Sequence, residues 1–228
     1  LVRNLDVKAH GHNNDGIDFE MSRNFLVEDC SFDQGDDAVV IKAGRNQDAW
    51  RLNTPCENIV IRNCQILKGH TLLGIGSEIS GGVRNVFIEN ISILKSSNAI
   101  YFKSNLDRGG YIENIYVRNI QADSVRTALV RVEPNYKGER SGFHPTLFNK
   151  ITVENVTCGQ TNECAISMAG FPELPIRNIT LKNITVDKAV SDYRLENGEN
   201  IIFENVRVNG EKLPEKPEAK KIKKLRVL

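Results

Sequence analysis

The feature that most constrains this chain is a repeated nonapeptide: Asn, apolar, any, apolar, any, Asn or Asp, apolar, any, apolar. It appears as NFLVEDCSF from Asn24, NIVIRNCQI from Asn58, NVFIENISI from Asn85 and NIYVRNIQA from Asn114. It returns as KITVENVTC from Lys150, NITLKNITV from Asn178 and NIIFENVRV from Asn200, and a degenerate copy, NLDVKAHG, is read from Asn4. Successive starts lie 20, 34, 27, 29, 36, 28 and 22 residues apart.

Apolar residues alternate with period two, so each unit reads as two short strands with one face turned inward. Asn and Asp tolerate the left-handed backbone conformation, which suits a sharp bend at the second Asn. Strand-built repeats of this length, with no helical periodicity between them, predict an all-β solenoid. Each coil pairs in parallel with the next, about 4.8 Å away, and stacked Asn side chains bond along the axis as a ladder. A leucine-rich repeat would need the LxxLxL signature, which is missing. A β-sandwich would need hairpin turns about every 8–12 residues. The uneven spacing assigns grown loops to some coils, the longest at roughly residues 44–57 and 132–149.

Composition narrows the function classes. Of 228 residues, 40% are apolar, enough for a sizeable core, and 26% are charged, the globular range rather than the disordered one. Net charge is +1, which argues against a basic nucleic-acid binder. No apolar run reaches the roughly 18–20 residues that span a bilayer. The five cysteines are Cys30, Cys56, Cys64, Cys158 and Cys164, with no CxxC and no zinc spacing. Cys158 and Cys164 flank a loop, so a bridge and two packed free thiols both remain open. Cys30 and Cys64 share the register of Ile91, Ile120, Val156 and Ile184, a core position. Residues 1–210 form the solenoid. Residues 211–228, EKLPEKPEAKKIKKLRVL, break the repeat and read as a basic tail or cap.

Two segments depart from the repeat: His12-Asn13-Asn14-Asp15-Gly16-Ile17-Asp18 and Gln34-Gly35-Asp36-Asp37-Ala38. Either alone reads as an ordinary Asx turn. Asp15, however, precedes Asp36 and Asp37 by 21 and 22 residues, about one coil, so all three carboxylates meet on one sheet. Like charges at that spacing repel and push at least one carboxyl toward its protonated form. An acid beside ionised neighbours is the pairing that glycoside hydrolysis uses. A calcium site would want more oxygen ligands at short regular spacing. His70, on the next coil, reads as a support for a carboxylate or a sugar hydroxyl. Lys103 lies 33 residues further on and would bring a cation suited to an acidic sugar, unless it is only a solvated lysine.

The order NNDG, QGDD, GH, xxK, RGG along a solenoid resembles glycoside hydrolase family 28, the polygalacturonase-like pectinases. IGSEISGGVRNVFIENI, residues 75–91, looks like the family's segment after its catalytic His. The likeness runs from about residue 2 to 135 and beyond that only as repeats. It implies a right-handed single-stranded parallel β-helix and inverting hydrolysis of α-linked uronic-acid chains, with no metal or other cofactor. Residue by residue, Asp36 matches the general acid, and Asp15 and Asp37 match the residues that hold and activate water. His70 matches the His that supports the acid, and Lys103 the Lys that binds the substrate carboxylate. Tyr136, in Asn135-Tyr136-Lys137-Gly138, matches a substrate-contacting Tyr. Carboxylates on adjacent coils, about 5 Å apart, would by separation alone read as retaining; the resemblance implies inversion.

Three departures matter. Tyr101 stands where the family's basic triplet begins with Arg, which leaves Arg108 or Arg45 to supply the second cation. Thr71 replaces the second Gly of Gly-His-Gly, and Asn14 stands where Thr is common. These leave both galacturonan and decorated pectins such as rhamnogalacturonan open as substrates. The resemblance further implies a secreted, periplasmic or cell-surface monomer that takes an acidic polysaccharide, pectin, with no nucleic-acid or membrane partner. It implies N-terminal coils before the NNDG segment that this sequence does not carry. The competing readings are a non-catalytic carbohydrate-binding β-helix and a lyase on the same scaffold, which would need calcium.

Overall fold

A computed structural model describes residues 1–137, 142–214 and 219–228. The described residues form a parallel β-helix. Val2–Arg3 pairs with Arg23–Glu28, which pairs with Cys56–Ile75, and then in turn come Val83–Lys103, Tyr111–Glu133, Leu147–Thr161, Ile176–Lys188 and Ser191–Val208. All these pairings are parallel. Glu211–Lys212 makes an antiparallel pairing with Ser191–Val208.

The long strands turn corners at asparagine. Cys56–Ile75 bends at Asn58 and Asn63, with φ of 56° and 53°. The same conformation recurs at Asn85, Asn90, Asn114, Asn119, Asn155, Asn178, Asn183, Asn200 and Asn205. For most residues this region costs about 1–2 kcal/mol; Asn tolerates it. The bends also build two ladders. In one, Asn90 donates to Asn63 (3.1 Å), Asn119 to Asn90 (3.1 Å), and Asn155, Asn183 and Asn205 continue the chain. In the other, Asn58 bonds Asn24, Asn85 bonds Asn58 and Asn114 bonds Asn85. An amide suits this because it both donates and accepts, so identical side chains satisfy one another.

Between the bends the inward residues stack in columns. Ile61, Ile88, Val117, Val153, Leu181 and Phe203 form one, all buried. Each contributes about 1.5–3 kcal/mol by leaving water. Cys30 and Cys64 occupy the expected core column, and Cys64 pairs with Ile91. All five cysteines are free and buried, so the Cys158–Cys164 bridge does not form. Burial pushes the thiols of Cys56, Cys64 and Cys158 up to about 11.

Two sequence expectations are corrected. Asn4 is not the start of a unit. Val2 stands opposite Val27 and Arg3 opposite Glu28, so Asn4 matches the second bend, Asp29, and the first spacing is 25 rather than 20. A short unit with one bend residue fits either register by pattern; pairing decides. Second, the 44–57 insertion is not all loop: Asn46–Leu52 is a short helix closed by Asn53 in the left-handed conformation. Trp50 on it donates to the Arg108 carbonyl (2.9 Å) and packs on His144, which ties the two insertions together. The basic tail, read as a tail or cap, covers the last coil. Lys220–Val227 pairs in parallel with Ser191–Val208, placing Lys221 and Lys224 in the bend columns of Asn197 and Asn200. Lysine in place of Asn hides the motif and ends the ladder. Residues 215–218 of the tail lie outside the described residues.

Candidate active site

The site grows from the coil stack. Ile17–Glu20 pairs with Val39–Lys42, and Ile17 stands opposite Val39. The Gly16 N–H donates to the Asp37 carbonyl (2.9 Å) and the Asp36 N–H to the Asn14 carbonyl (3.3 Å). Asp15 therefore lies beside the Asp36–Asp37 pair, as the one-coil spacing predicts. Gly16 is required here, because a Cβ would meet the Ala38 carbonyl at 2.4 Å. On the next coil the His70 N–H donates to the Asp36 carbonyl (2.7 Å), and the Ala38 N–H to the Thr71 carbonyl (2.9 Å). His70 and Thr71 are thus stacked beside Asp36 and Asp37.

The side chains divide the three acids. His70 Nδ1 lies 3.1 Å from Asp36 Oδ1. Asp37 is 2% exposed and has both oxygens engaged. Thr71 Oγ1 donates to its Oδ1 (2.8 Å), and the Lys103 ammonium forms an ion pair with its Oδ2 (3.0 Å). Asp15 keeps only a looser cation, Lys42 Nζ at 3.6 Å, which sits closer to Asp18 (2.5 Å). Burial raises the Asp15 carboxyl above the ordinary carboxylate value; the charges of Asp37 and Asp36 add to this, and Lys42 opposes it.

Lys103 reaches Asp37 in a way its spacing does not reveal. The coil offset here is 27 residues, not 33, and Ile75 stands opposite Phe102. Lys103 thus follows Gly76, not His70, along the sheet. Its ammonium crosses the intervening coil where Gly74 leaves room, since a Cβ at Gly74 would lie 2.5 Å from Asp37 Oδ2. Burial opposes the charge on Lys103; Asp37, by charge and hydrogen bond, more than offsets it and holds the ammonium above its ordinary value.

These groups line a groove of about 450 Å³, with Asp15, Asp36, Asp37, His70, Lys103 and Tyr136 among its walls. Tyr101 and Arg108 are not among the residues lining it. The Tyr101 ring is 8% exposed, and its hydroxyl donates to Glu133. Burial first, then the Glu133 hydrogen bond and charge, push the Tyr101 phenol far above its usual range. Arg108 is 5% exposed and donates to the Ser77 carbonyl (3.1 Å) and to Asn46 (2.7 Å). Arg45 faces Glu78 at 3.7 Å. Gly138, which completes the Tyr136 motif, lies outside the described residues.

Sequence reasoning missed Lys42, which enters the groove from the strand directly after the Asp pair. Its signal was period two: Val40 and Lys42 share one face of that strand, and both line the groove. Among the described residues, the group that could hold a metal ion is Asp36, Asp37 and His70, with donor atoms within 4.8 Å of one another. A cation there would compete with the Lys103 ammonium for Asp37. Another groove, of about 400 Å³, lies by Phe87 and Tyr116; its acids are Glu89, paired with Arg118 at 2.6 Å, and Glu154. Among the described residues no helix is long and apolar enough to cross a membrane.

The model for the Glycosyl hydrolases family 28 matches residues 2–212, and the chain belongs to that family. A probable polygalacturonase of Vitis vinifera is 29% identical over 195 residues, 83% of this chain and 40% of that protein. An exo-poly-alpha-D-galacturonosidase of Dickeya chrysanthemi is 27% identical over 213 residues, 87% of this chain and 35% of that protein. Among solved structures, a hyperthermoactive exopolygalacturonase from Thermotoga maritima superposes with a TM-score of 0.87 at 34% identity. It is matched by 92% of this chain, over 47% of its own length. The chain thus spans less than half the length of each of these relatives.

Proposed function

We propose that this groove hydrolyses α-glycosidic bonds in pectic, galacturonan-type polysaccharides with inversion. The observation that carries the reading is the unequal treatment of three adjacent carboxyls. Asp37 has its oxygens bonded to Thr71 and Lys103, which fixes it in place as an anchor. Asp36, beside His70, is left to protonate the glycosidic oxygen as the bond to the anomeric carbon breaks. Water attacks the opposite face of the sugar and gives its proton to Asp15, with Asp37 orienting it. The raised Asp15 carboxyl makes the stronger base, provided the pH stays above its titration.

The relatives named for polygalacturonan support the substrate class. The basic flank at Lys42 and Lys103 fits an acidic polymer, and such a polymer places the protein outside the cytoplasm. The test is Asp36→Asn, assayed by reducing-end release from polygalacturonic acid and rhamnogalacturonan without added metal. Saturated products from the wild type, and their loss in a variant that still melts cooperatively, are expected. Undiminished release by Asp36→Asn, or an unsaturated product absorbing in the ultraviolet, would sink the assignment.

A further inference from the structure

The groove beside Phe87 and Tyr116 lies on a different sheet from the three acids. Between the bends at Asn58 and Asn63 the strand turns Val60 and Arg62 outward, and later coils repeat the pattern. The Val60 position makes a column that runs Leu26, Val60, Phe87, Tyr116, Thr152 and Thr180. Phe87 and Tyr116 are each 45% exposed, and their rings stack with centroids 5.2 Å apart. Cross-strand pairing accounts for two rings meeting, but not for an apolar row carried from coil to coil across a solvent face. The Arg62 position makes the facing wall. It alternates strictly in sign from Arg3 through Glu89, Arg118 and Glu154 to Glu204, so its charges cancel. The groove of about 400 Å³ runs between the two columns. Both hydrogen bonds of the Arg118–Glu89 pair fall on Glu89 Oε2, and the Tyr116 hydroxyl has no hydrogen-bond partner among the described residues. Glu89 Oε1, Arg118 Nη1 and the phenol are left to meet a ligand.

We infer that this groove binds one uncharged glycan chain, of the β-1,4-glucan type, lying along the helix axis and apart from the carboxylate groove. A sugar ring is apolar on its C–H faces and carries hydroxyls round its rim. The aromatic wall matches the faces, and the carboxylate and guanidinium of the other wall match the hydroxyls. Cancelled charge gives an acidic polymer no attraction here, whereas Lys42, Lys103 and Lys137 all line the carboxylate groove. Shape selects a single chain over a protein partner. Outward positions two residues apart leave about 7 Å of width, and Val60 to Thr152 spans about 14 Å. That is on the order of 100 Å², where a stable protein interface covers about 800 Å² on each partner. Coils stack at a constant rise, so the channel is straight and suits an extended chain. The inference does not depend on hydrolysis in the other groove.

The test is calorimetric titration of cellohexaose, and of its acidic counterpart oxidised at C6, into the wild-type protein, Phe87→Ala, Tyr116→Ala and Tyr116→Phe. Each alanine variant is expected to bind cellohexaose about tenfold more weakly, and Tyr116→Phe about threefold. Any binding of the acidic counterpart is expected to be the same in all four proteins. Matching melting temperatures check that the variants are folded. Three results would overturn the site: no binding of cellohexaose by the wild type, undiminished binding by both alanine variants, or an acidic ligand weakened as much as the neutral one. Self-association of the wild type that Phe87→Ala abolishes would instead give the groove to a second copy of the chain, and would overturn it as well.

Discussion

Along the outer face of the repeat strands, charge alternates from coil to coil. Glu28, Arg62, Glu89, Arg118 and Glu154 occupy one column, with Arg62 bonded to Glu28 and Arg118 to Glu89, each at 2.6 Å. Along the groove the rule is broken, and Asp15 stacks on Asp36 and Asp37. The two regions share one backbone geometry, so stacking itself is neutral. A column is stable when neighbouring coils offer opposite charges or self-complementary amides. Asn satisfies that condition with copies of itself; Asp cannot. The groove therefore gives up stability that the ladders supply, and cations recruited from later coils only partly restore it.

The sharpest way to break this comparison is at the acid. Asp36→Asn is expected to lower the rate by about 10²–10⁴ with little change in melting temperature, since the substitution replaces one stacked oxygen by an amide. A large loss of stability would mean that the acid is structural.

On the ladder side, Asn90→Ala removes bonds to both Asn63 and Asn119 and forces Ala into a φ of 57°. Destabilisation by about 3 kcal/mol is expected from the two bonds and the strain together. Asn90→Gly, which loses only the bonds, should cost about half as much. Chemical denaturation of the pair separates the terms, and equal costs would show that the ladder, not the bend, dominates.

Thr71→Val sits where the two regions meet, because it removes the neutral donor from Asp37 and keeps the shape of a buried side chain. A five- to tenfold fall in turnover is expected, about 1 kcal/mol, with Thr71→Ser restoring most of it. If Val and Ser behave alike, the hydroxyl does not position Asp37.

The smallest effect concerns Asp15. Its carboxyl titrates higher folded than unfolded, so its charge opposes folding above that folded value, and the penalty is relieved as pH falls through it. Asp15→Asn should therefore raise the melting temperature near neutral pH, by about 1–2 °C, and the gain should shrink on acidification. With Asp15 as the base of the proposed mechanism, the same titration is expected to set the acid limb of activity in the wild type. Lys42→Met removes a lowering influence on Asp15 and should move that limb to higher pH. An unmoved limb would assign it to another group.

Much of this was legible in the chain. Period-two apolar residues and paired Asn bends dictated strands, corners and ladders, because those depend on local backbone preference and on identical neighbours meeting one coil apart. The clustering of Asp15 with Asp36 and Asp37 followed from the same one-coil spacing, and His70 from the next coil. What spacing alone left open was everything that turns on register and reach. Asn4 took the second bend rather than the first because only strand pairing distinguishes them. Lys103 meets Asp37 by crossing Gly74, because loop lengths vary while coils stack at a constant rise. Sequence distance then ceases to measure axial distance, and only the folded stack decides which charges touch.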